Sequence, residues 1–299
     1  MTPEVLYQLQ SGDVSLDAPV LITSPEGWID AGLGGGGAIA ALLEGITTEV
    51  VATFDSDALL DHRARRPIAR IVDGVYEDVL WPEIELRAGT DSAGKDVLVL
   101  TGPEPDHSWR AYADAVGELA QRFKVRLLVG MGAFPAPVPH TRTARLVATA
   151  TTAELANRIG VVRRQLDVPA GIVVALQGRF AELGIPAIAL WARVPHYAAS
   201  LPYPEASVVL LNGLTEVAGV VVDKAKLEEA AALARERLDE LAANNAQSQS
   251  LVRQLEAQVD SETDEDAGWE PDGDQPWSNL PSADELGAEV ERFLRDQGE

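Results

Sequence analysis

Eleven residues, GWIDAGLGGGG (Gly27 to Gly37), hold six glycines directly after the apolar run PVLITS. Gly32, Gly34 and Gly37 satisfy G-x-G-x-x-G, and Asp55 stands at the end of the next strand-like run. In that fingerprint the glycines let backbone amides approach a pyrophosphate at a helix N-terminus. The spacing argues against it here. A dinucleotide turn follows its strand within a residue or two, whereas Pro25 to Ala31 intervene, and Asp30 sets a carboxylate where phosphates would sit. The glycines read as a permissive helix entry in which backbones approach closely. A small-anion or nucleoside site, built on Asp30, Gly32, Gly34 and Gly37, is the alternative.

Other residues with chemical potential are scattered. Asp106-His107-Ser108 names the members of a hydrolase triad, but three adjacent residues do not face one another, and a triad is assembled from distant segments. The stretch PDHSW reads as a helix start with Asp106 as its N-cap. The four histidines, His62, His107, His140 and His196, lack metal-ligand spacing. Two of them recur in one context, Val138-Pro139-His140 and Val194-Pro195-His196, each at an expected strand exit, where α/β proteins place ligand sites. A loop histidine hydrogen-bonded to backbone is the preferred reading of each; as the alternative, with Arg142 and Arg193 nearby, these histidines complete the candidate ligand-binding set. Asp55, Asp57 and Asp61 precede Arg63, Arg65 and Arg66; paired carboxylates can hold Mg²⁺, but arginine forks neutralise such a cluster internally, and that structural reading is preferred. No catalytic residue, metal site or cofactor is assigned.

The elements that must position these residues alternate in type up to about residue 222. Strands are expected at 20–24, 49–55, 96–100, 125–131, 144–150 and 187–192. ARIVDGVY (69–76) and IELRA (84–88) read as an antiparallel pair. Helices are expected after the glycines (38–45), over 106–122, near 171–183, and from Pro204, which suits a first helical turn. Such alternation predicts an α/β domain over 1–222, a mixed and mostly parallel sheet flanked by helices. Residues 223–259 are rich in helix formers and carry one stripe from Leu227 through Leu238 to Leu255 and Val259, interrupted by Asn245 and Ser248. This helical extension is one helix with a polar notch or two helices turning at AANNAQ, packed on the parent domain or on a second subunit. An acidic segment over 260–281 reads as a solvated linker, its first sixteen residues holding eight acids and no base. A short helix over 282–299 follows, with Ser282 and Glu285 at capping-box spacing.

Composition narrows the function classes. The chain has 299 residues, no cysteine, 24 basic and 47 acidic residues, and a formal charge of −23. Disulfides and thiolate metal sites are excluded. The negative field repels nucleic acid and anionic lipid. No apolar run is long enough to span a membrane, and the N-terminus lacks the features of a signal peptide. These properties predict a cytoplasmic protein with neither nucleic acid nor membrane as partner.

Taken in order, several segments resemble the PAC2 family, the proteasome assembly chaperone 2-like proteins, in its actinobacterial form. They are GWIDAG (27–32), ATFDSDALLDHRARRP (52–67), LTGPEPDHSWRAY (100–112), PAPVPHTR (135–142), LWARVPHYAASLPYPEAS (190–207) and LLNGL (210–214). The set covers most of residues 15 to 220, with PHTR and VPHY its most specific members. The resemblance implies an α/β domain similar to the phosphorylase/hydrolase-like fold, to which the C-terminal helical extension read above is appended. It also implies association with itself, as a homo-oligomer such as a trimer, or with related chains. Relatives act as chaperones in assembly of the 20S proteasome, some through a C-terminal hydrophobic-Tyr-X tail. This sequence ends Arg295-Asp296-Gln297-Gly298-Glu299, so that docking mode is not expected. The family supplies no catalytic residues. The expected function is a non-enzymatic assembly chaperone or scaffold with an unidentified protein partner, its surface formed by the helical tail and the loops of Trp28, Trp109 and Tyr197. The alternative is a nucleoside- or anion-binding protein or enzyme using the glycine loop and the loop histidines.

Overall fold

The computed structural model describes residues 6–10, 14–27, 29–160, 165 and 167–261. Its frame is set by runs of apolar residues that alternate between two faces. The strands β1 (Tyr7–Leu9), β2 (Val20–Thr23), β3 (Thr48–Phe54), β6 (Glu85–Thr90), β7 (Asp96–Thr101), β8 (Leu127–Ala136), β9 (Leu146–Ala150) and β10 (Ala187–Pro195) form one sheet, in the order β1-β3-β6-β7-β2-β8-β10-β9. In β2, Val20 and Ile22 point to one core and Leu21 to the other; β7 does the same with Val97 and Val99 against Leu98 and Leu100. This two-faced burial is why these strands read as continuous apolar runs.

The first core lies under α1 (Gly34–Gly45) and α6 (Pro204–Ala218), centred on Leu42, Val129, Leu210 and Leu214. The second lies under α3 (Trp109–Arg122) and α5 (Ile172–Glu182), centred on Tyr112, Leu119, Leu176 and Phe180. Two short helices, α2 (Ser56–Leu59) and α4 (Ala153–Ala156), sit in the connections.

The expected α/β architecture is therefore present, with one refinement. Parallel pairing is confined to the central β7-β2-β8-β10 group, while β1, β3 and β6 on one side and β9 on the other pair antiparallel. A second correction concerns 69–88. The segment ARIVDGVY does not pair with IELRA. It folds on itself as β4 (Ile68–Val72) and β5 (Val75–Leu80), while β6 joins the main sheet between β3 and β7. The reason is local: Asp73 and Gly74 both adopt positive φ, 50° and 82°, the conformation that a two-residue hairpin turn requires.

Beyond α6, two helices follow, α7 (Ala225–Ala243) and α8 (Ala246–Ser261). The break falls at Asn244-Asn245, where Asn245 Oδ1 accepts from the amides of Gln247 (2.8 Å) and Ser248 (3.4 Å). Of the stripe, Leu255 and Val259 are buried and Leu227 and Leu238 pack against the first core, whereas Leu241 is exposed. Asp260, expected to begin the linker, is the penultimate residue of α8. The acidic segment beyond Ser261, the helix expected over 282–299, and Trp28 lie outside the described residues. No helix among those described is long and apolar enough to cross a membrane.

Candidate functional site

Because β2, β7, β8 and β10 are parallel, the loops that follow them gather at one end of the sheet. The glycine segment, PHTR and VPHY all lie there. Asp30 forms an isolated parallel bridge with Ala133 of β8, which anchors the glycine segment to the sheet. Its carboxylate then turns onto the start of α1: Oδ1 accepts from the Gly35 amide (2.7 Å) and Oδ2 from the Gly36 amide (2.9 Å). The amides that would receive a phosphate are engaged by the chain's own carboxylate. Burial raises the pKa of this carboxyl, although the Gly36 and Gly35 amides favour its charged form.

The glycines answer to close packing. Gly32 sits at φ +64° and exchanges hydrogen bonds with the VPHY loop, its amide donating to Ala199 (2.7 Å) and its carbonyl accepting from Tyr203 (2.8 Å). A Cβ on Gly34 would lie 2.8 Å from that of Ala206 and 2.9 Å from that of Ala133, so α1 approaches both α6 and β8 too closely for a side chain. Gly37 is held to the same rule by Ser207 Oγ, 2.5 Å from where its Cβ would be. The Ser207 hydroxyl in turn donates to the Gly34 carbonyl (2.8 Å).

His140 follows β8 and is 1% exposed. The Tyr197 hydroxyl accepts from the His140 amide (2.9 Å) and lies 2.6 Å from Nδ1, while Nε2 is 3.1 Å from Asp239 Oδ1 on α7. The Asp239 carboxylate can only accept, which assigns the ring proton of the neutral imidazole to Nε2 and leaves Nδ1 to accept from the Tyr197 hydroxyl. Burial lowers the His140 pKa, against the opposing pull of Asp239; burial likewise pushes Tyr197 up to about 12.

Next in sequence, Thr141 donates to Glu256 Oε1 (2.6 Å). Arg142 forks onto Asp260 through Nε (2.8 Å) and Nη2 (2.7 Å) and reaches Glu256 through Nη1 (3.0 Å). That bidentate geometry holds the Asp260 carboxyl below its usual range. Every polar residue of the PHTR motif thus meets α7 or α8.

Arg193 is buried on β10 beside Arg145 and lines a cavity of about 10 Å³ with Arg142, Pro195, Tyr203 and Val259. That is room for about one water. His196 is exposed, its ring 5.4 Å from that of Tyr197. The structure therefore brings His140 and Arg142 together with the helical extension, and sets Asp30 and the glycines against the VPHY loop and α6. It leaves His196 facing outward. Three participants escaped sequence reading: Asp239, Glu256 and Asp260. Their only local signal was the i, i+4 spacing of Glu256 and Asp260 beside Leu255 and Val259.

The other expected clusters resolve locally. Asp55 caps α2 by accepting from the Ala58 amide (3.1 Å), Asp57 meets His62 (2.9 Å), and Asp61 accepts from the Arg63 amide (2.8 Å). Asp106 does not cap α3 as expected. It accepts from the Asp61 amide (2.8 Å) and faces Arg65 (3.5 Å), which ties the acidic loop to the helix start, while Ser108 at φ 57° precedes α3 without a side-chain cap. Trp109 is half-buried on the second core, its indole N–H donating to the Pro105 carbonyl (2.5 Å), so it offers little to a partner. No cluster of three or more metal-ligating residues occurs among the described residues.

The sequence profile of the PAC2 family matches residues 25–242. No curated protein matches the chain. Among solved structures, it is similar to a protein of unknown function from Corynebacterium glutamicum, at 27% identity, TM-score 0.82, covering 88% of this chain and 99% of that one. It is similar also to the Mycobacterium tuberculosis protein of unknown function Rv2714, at 33% identity and TM-score 0.80, covering 86% and 92%. A third likeness is to the M. tuberculosis proteasome-assembly chaperone homologue Rv2125, at 31% identity and TM-score 0.73, covering 78% and 99%. With a family match that extends from the first loop into α7, and a fold shared over nearly the whole of these chains, the protein belongs to the PAC2 family.

Proposed function

We propose that this protein is a non-enzymatic interaction factor, an assembly chaperone or scaffold related to the proteasome assembly factors, which acts in the cytoplasm as a homo-oligomer. The observation that carries the reading is its likeness to the proteasome-assembly chaperone homologue over 99% of that chain. The site geometry supports it: the family-like polar motifs are engaged within the molecule, PHTR by α7 and α8 and the α1 amides by Asp30. Such residues join segments together; they do not converge on an open cleft where a substrate could react. The 1–222 domain is then the scaffold proper, the helical extension from 223 through Ser261 a brace over its motif loops, and the acidic segment beyond it with 282–299 a tethered docking element.

Affinity purification of the tagged chain from its native host tests the proposal, together with 20S proteasome levels in a deletion strain. A stoichiometric protein partner and reduced assembled proteasome are expected. Recovery of no partner, with unchanged proteasome levels, overturns it.

A further inference from the structure

The loop PHTRTAR (139–145) holds two threonines with different surroundings. The Thr141 hydroxyl donates to Glu256 Oε1 at 2.6 Å, so it belongs to the contact with α8. Thr143 is exposed, in a stretch without regular structure between Arg142 and β9, and its hydroxyl makes no hydrogen bond among the described residues. It nevertheless lines the same cavity as Arg142, Arg145 and Arg193. No other serine or threonine of the chain has an arginine within two residues on both sides. In a chain of charge −23, an exposed hydroxyl beside three guanidinium groups stands out from the acidic whole. An arginine cluster is what a phosphate requires, because guanidinium forks give its oxygens charge-assisted hydrogen bonds. At this same point Arg142 is engaged with α8, forked onto Asp260 and in contact with Glu256.

We propose that Thr143 is a phosphorylation site, and that its phosphate draws Arg142 away from Asp260 and Glu256 and so releases α8 from the motif loop. The hydroxyl oxygen attacks the terminal phosphoryl group of a nucleoside triphosphate held by a protein kinase. Its bond to phosphorus forms as the bond to the leaving diphosphate breaks, and its proton passes to the base of the kinase. Arginines on both sides of an exposed, irregular segment give such a kinase a charge pattern to read. The product carries about −1.5 to −2 charges at neutral pH. It therefore offers the neighbouring Arg142 an acceptor of higher charge than either carboxylate that now shares that guanidinium. Repulsion between the phosphate and those two carboxylates acts in the same direction, as a smaller effect screened by solvent. Little else holds α8, in which only Leu255 and Val259 are buried. Once it lifts, Val138, Pro195 and Tyr203, which line the cavity with Val259, become accessible to a partner. The inference rests on the contacts between PHTR and α8, and the identity of that partner does not enter it.

The test uses the full chain. Mass spectrometry of the chain purified from its native host is expected to find phosphate on Thr143, and its absence there in every growth phase overturns the site. The effect is read by amide hydrogen exchange on a chain with phosphoserine placed at position 143 through an expanded genetic code, with Thr143→Ser as the unmodified reference. Exchange in α8 is expected to rise on the order of tenfold with the phosphate present, while β2, β7 and β8 keep their protection. Unchanged exchange in α8 overturns the release. The same comparison in an Arg142→Gln background separates the mechanism. There the fork onto Asp260 is already absent, so the phosphate is expected to add only the small rise due to repulsion. A rise as large as in the native background overturns the capture of Arg142. Thr143→Val keeps the shape and removes the hydroxyl, and is expected to match the native chain. Faster exchange in α8 of that variant overturns the proposal by assigning the hydroxyl a structural role.

Discussion

His140 illustrates how one residue carries the chemistry of an intramolecular contact. Its ring bridges Tyr197 and Asp239, and Arg235 and Glu256 are the other charges that bear on it. Burial holds its pKa below that of the unfolded chain, about 6.5. The unfolded state therefore takes up the proton first as pH falls. The stability linked to this group is complete above about pH 6.5 and declines below it until the folded pKa is reached. Thermal melts from pH 7.5 to pH 5 are expected to show a steeper fall for the native chain than for His140→Gln; equal slopes would show that this imidazole does not couple to folding. Asp260 titrates in a different window, because Arg142 depresses its pKa, and its contribution is lost only as the solution becomes more acidic than an ordinary carboxyl requires. At the other motif, Asp30→Ala leaves the Gly35 and Gly36 amides without their acceptor. A loss of about 1 kcal/mol is expected, the usual effect of removing a capping side chain, measured by urea unfolding.

At the scale of elements, α1 shows why a glycine run need not mean a ligand. Two of its glycines differ in surroundings although both are helical. Gly34 faces the Cβ atoms of Ala206 and Ala133, whereas a side chain on Gly36 would meet only the end of the Asp30 carboxylate at 3.3 Å. Gly34→Ala is expected to destabilise by about 1–3 kcal/mol through overpacking between α1, α6 and β8. Gly36→Ala is expected to be neutral or stabilising by up to about 1 kcal/mol, from helix propensity. Similar losses at both positions in urea unfolding would refute the packing argument. The α7–α8 pair is held differently, by partly exposed ion pairs and by Leu255 and Val259. Exposed ion pairs contribute little to stability, so Arg142→Gln should barely move the melting temperature. It should instead raise amide hydrogen exchange in α8, which loses the fork to Asp260 and the contact with Glu256. Unchanged exchange would mean that apolar contacts alone hold the helix.

For the whole molecule, the loops at the carboxyl ends of the parallel strands are closed by the chain itself. The α1 amides are capped by Asp30, and the space beside Arg142, Arg145 and Arg193 is about 10 Å³. A thermal-shift screen with phosphate, nucleosides and nucleotides is therefore expected to leave the melting temperature unchanged. A saturable rise would establish the ligand-binding alternative, since only a ligand of the folded state stabilises it.

Much of this was legible in the residues. Strands buried on both faces must be apolar throughout, so β2, β7, β8 and β10 announced themselves, and α3 and α6 followed from period and from Pro204. The Asp73-Gly74 turn was equally written in the sequence, although strand-like flanks on both sides drew the pairing toward the wrong partner. What local pattern could not supply was any contact between distant segments. The strand order, with parallel pairing confined to its centre, depends on which crossovers pack best over each face. PHTR meets acids 99 to 118 residues away, and the pairing was decided only when α7 folded back against α6 and brought α8 over the loop that follows β8. A periodicity of three or four residues specifies that a helix has a buried side, and the tertiary structure alone selects what that side covers.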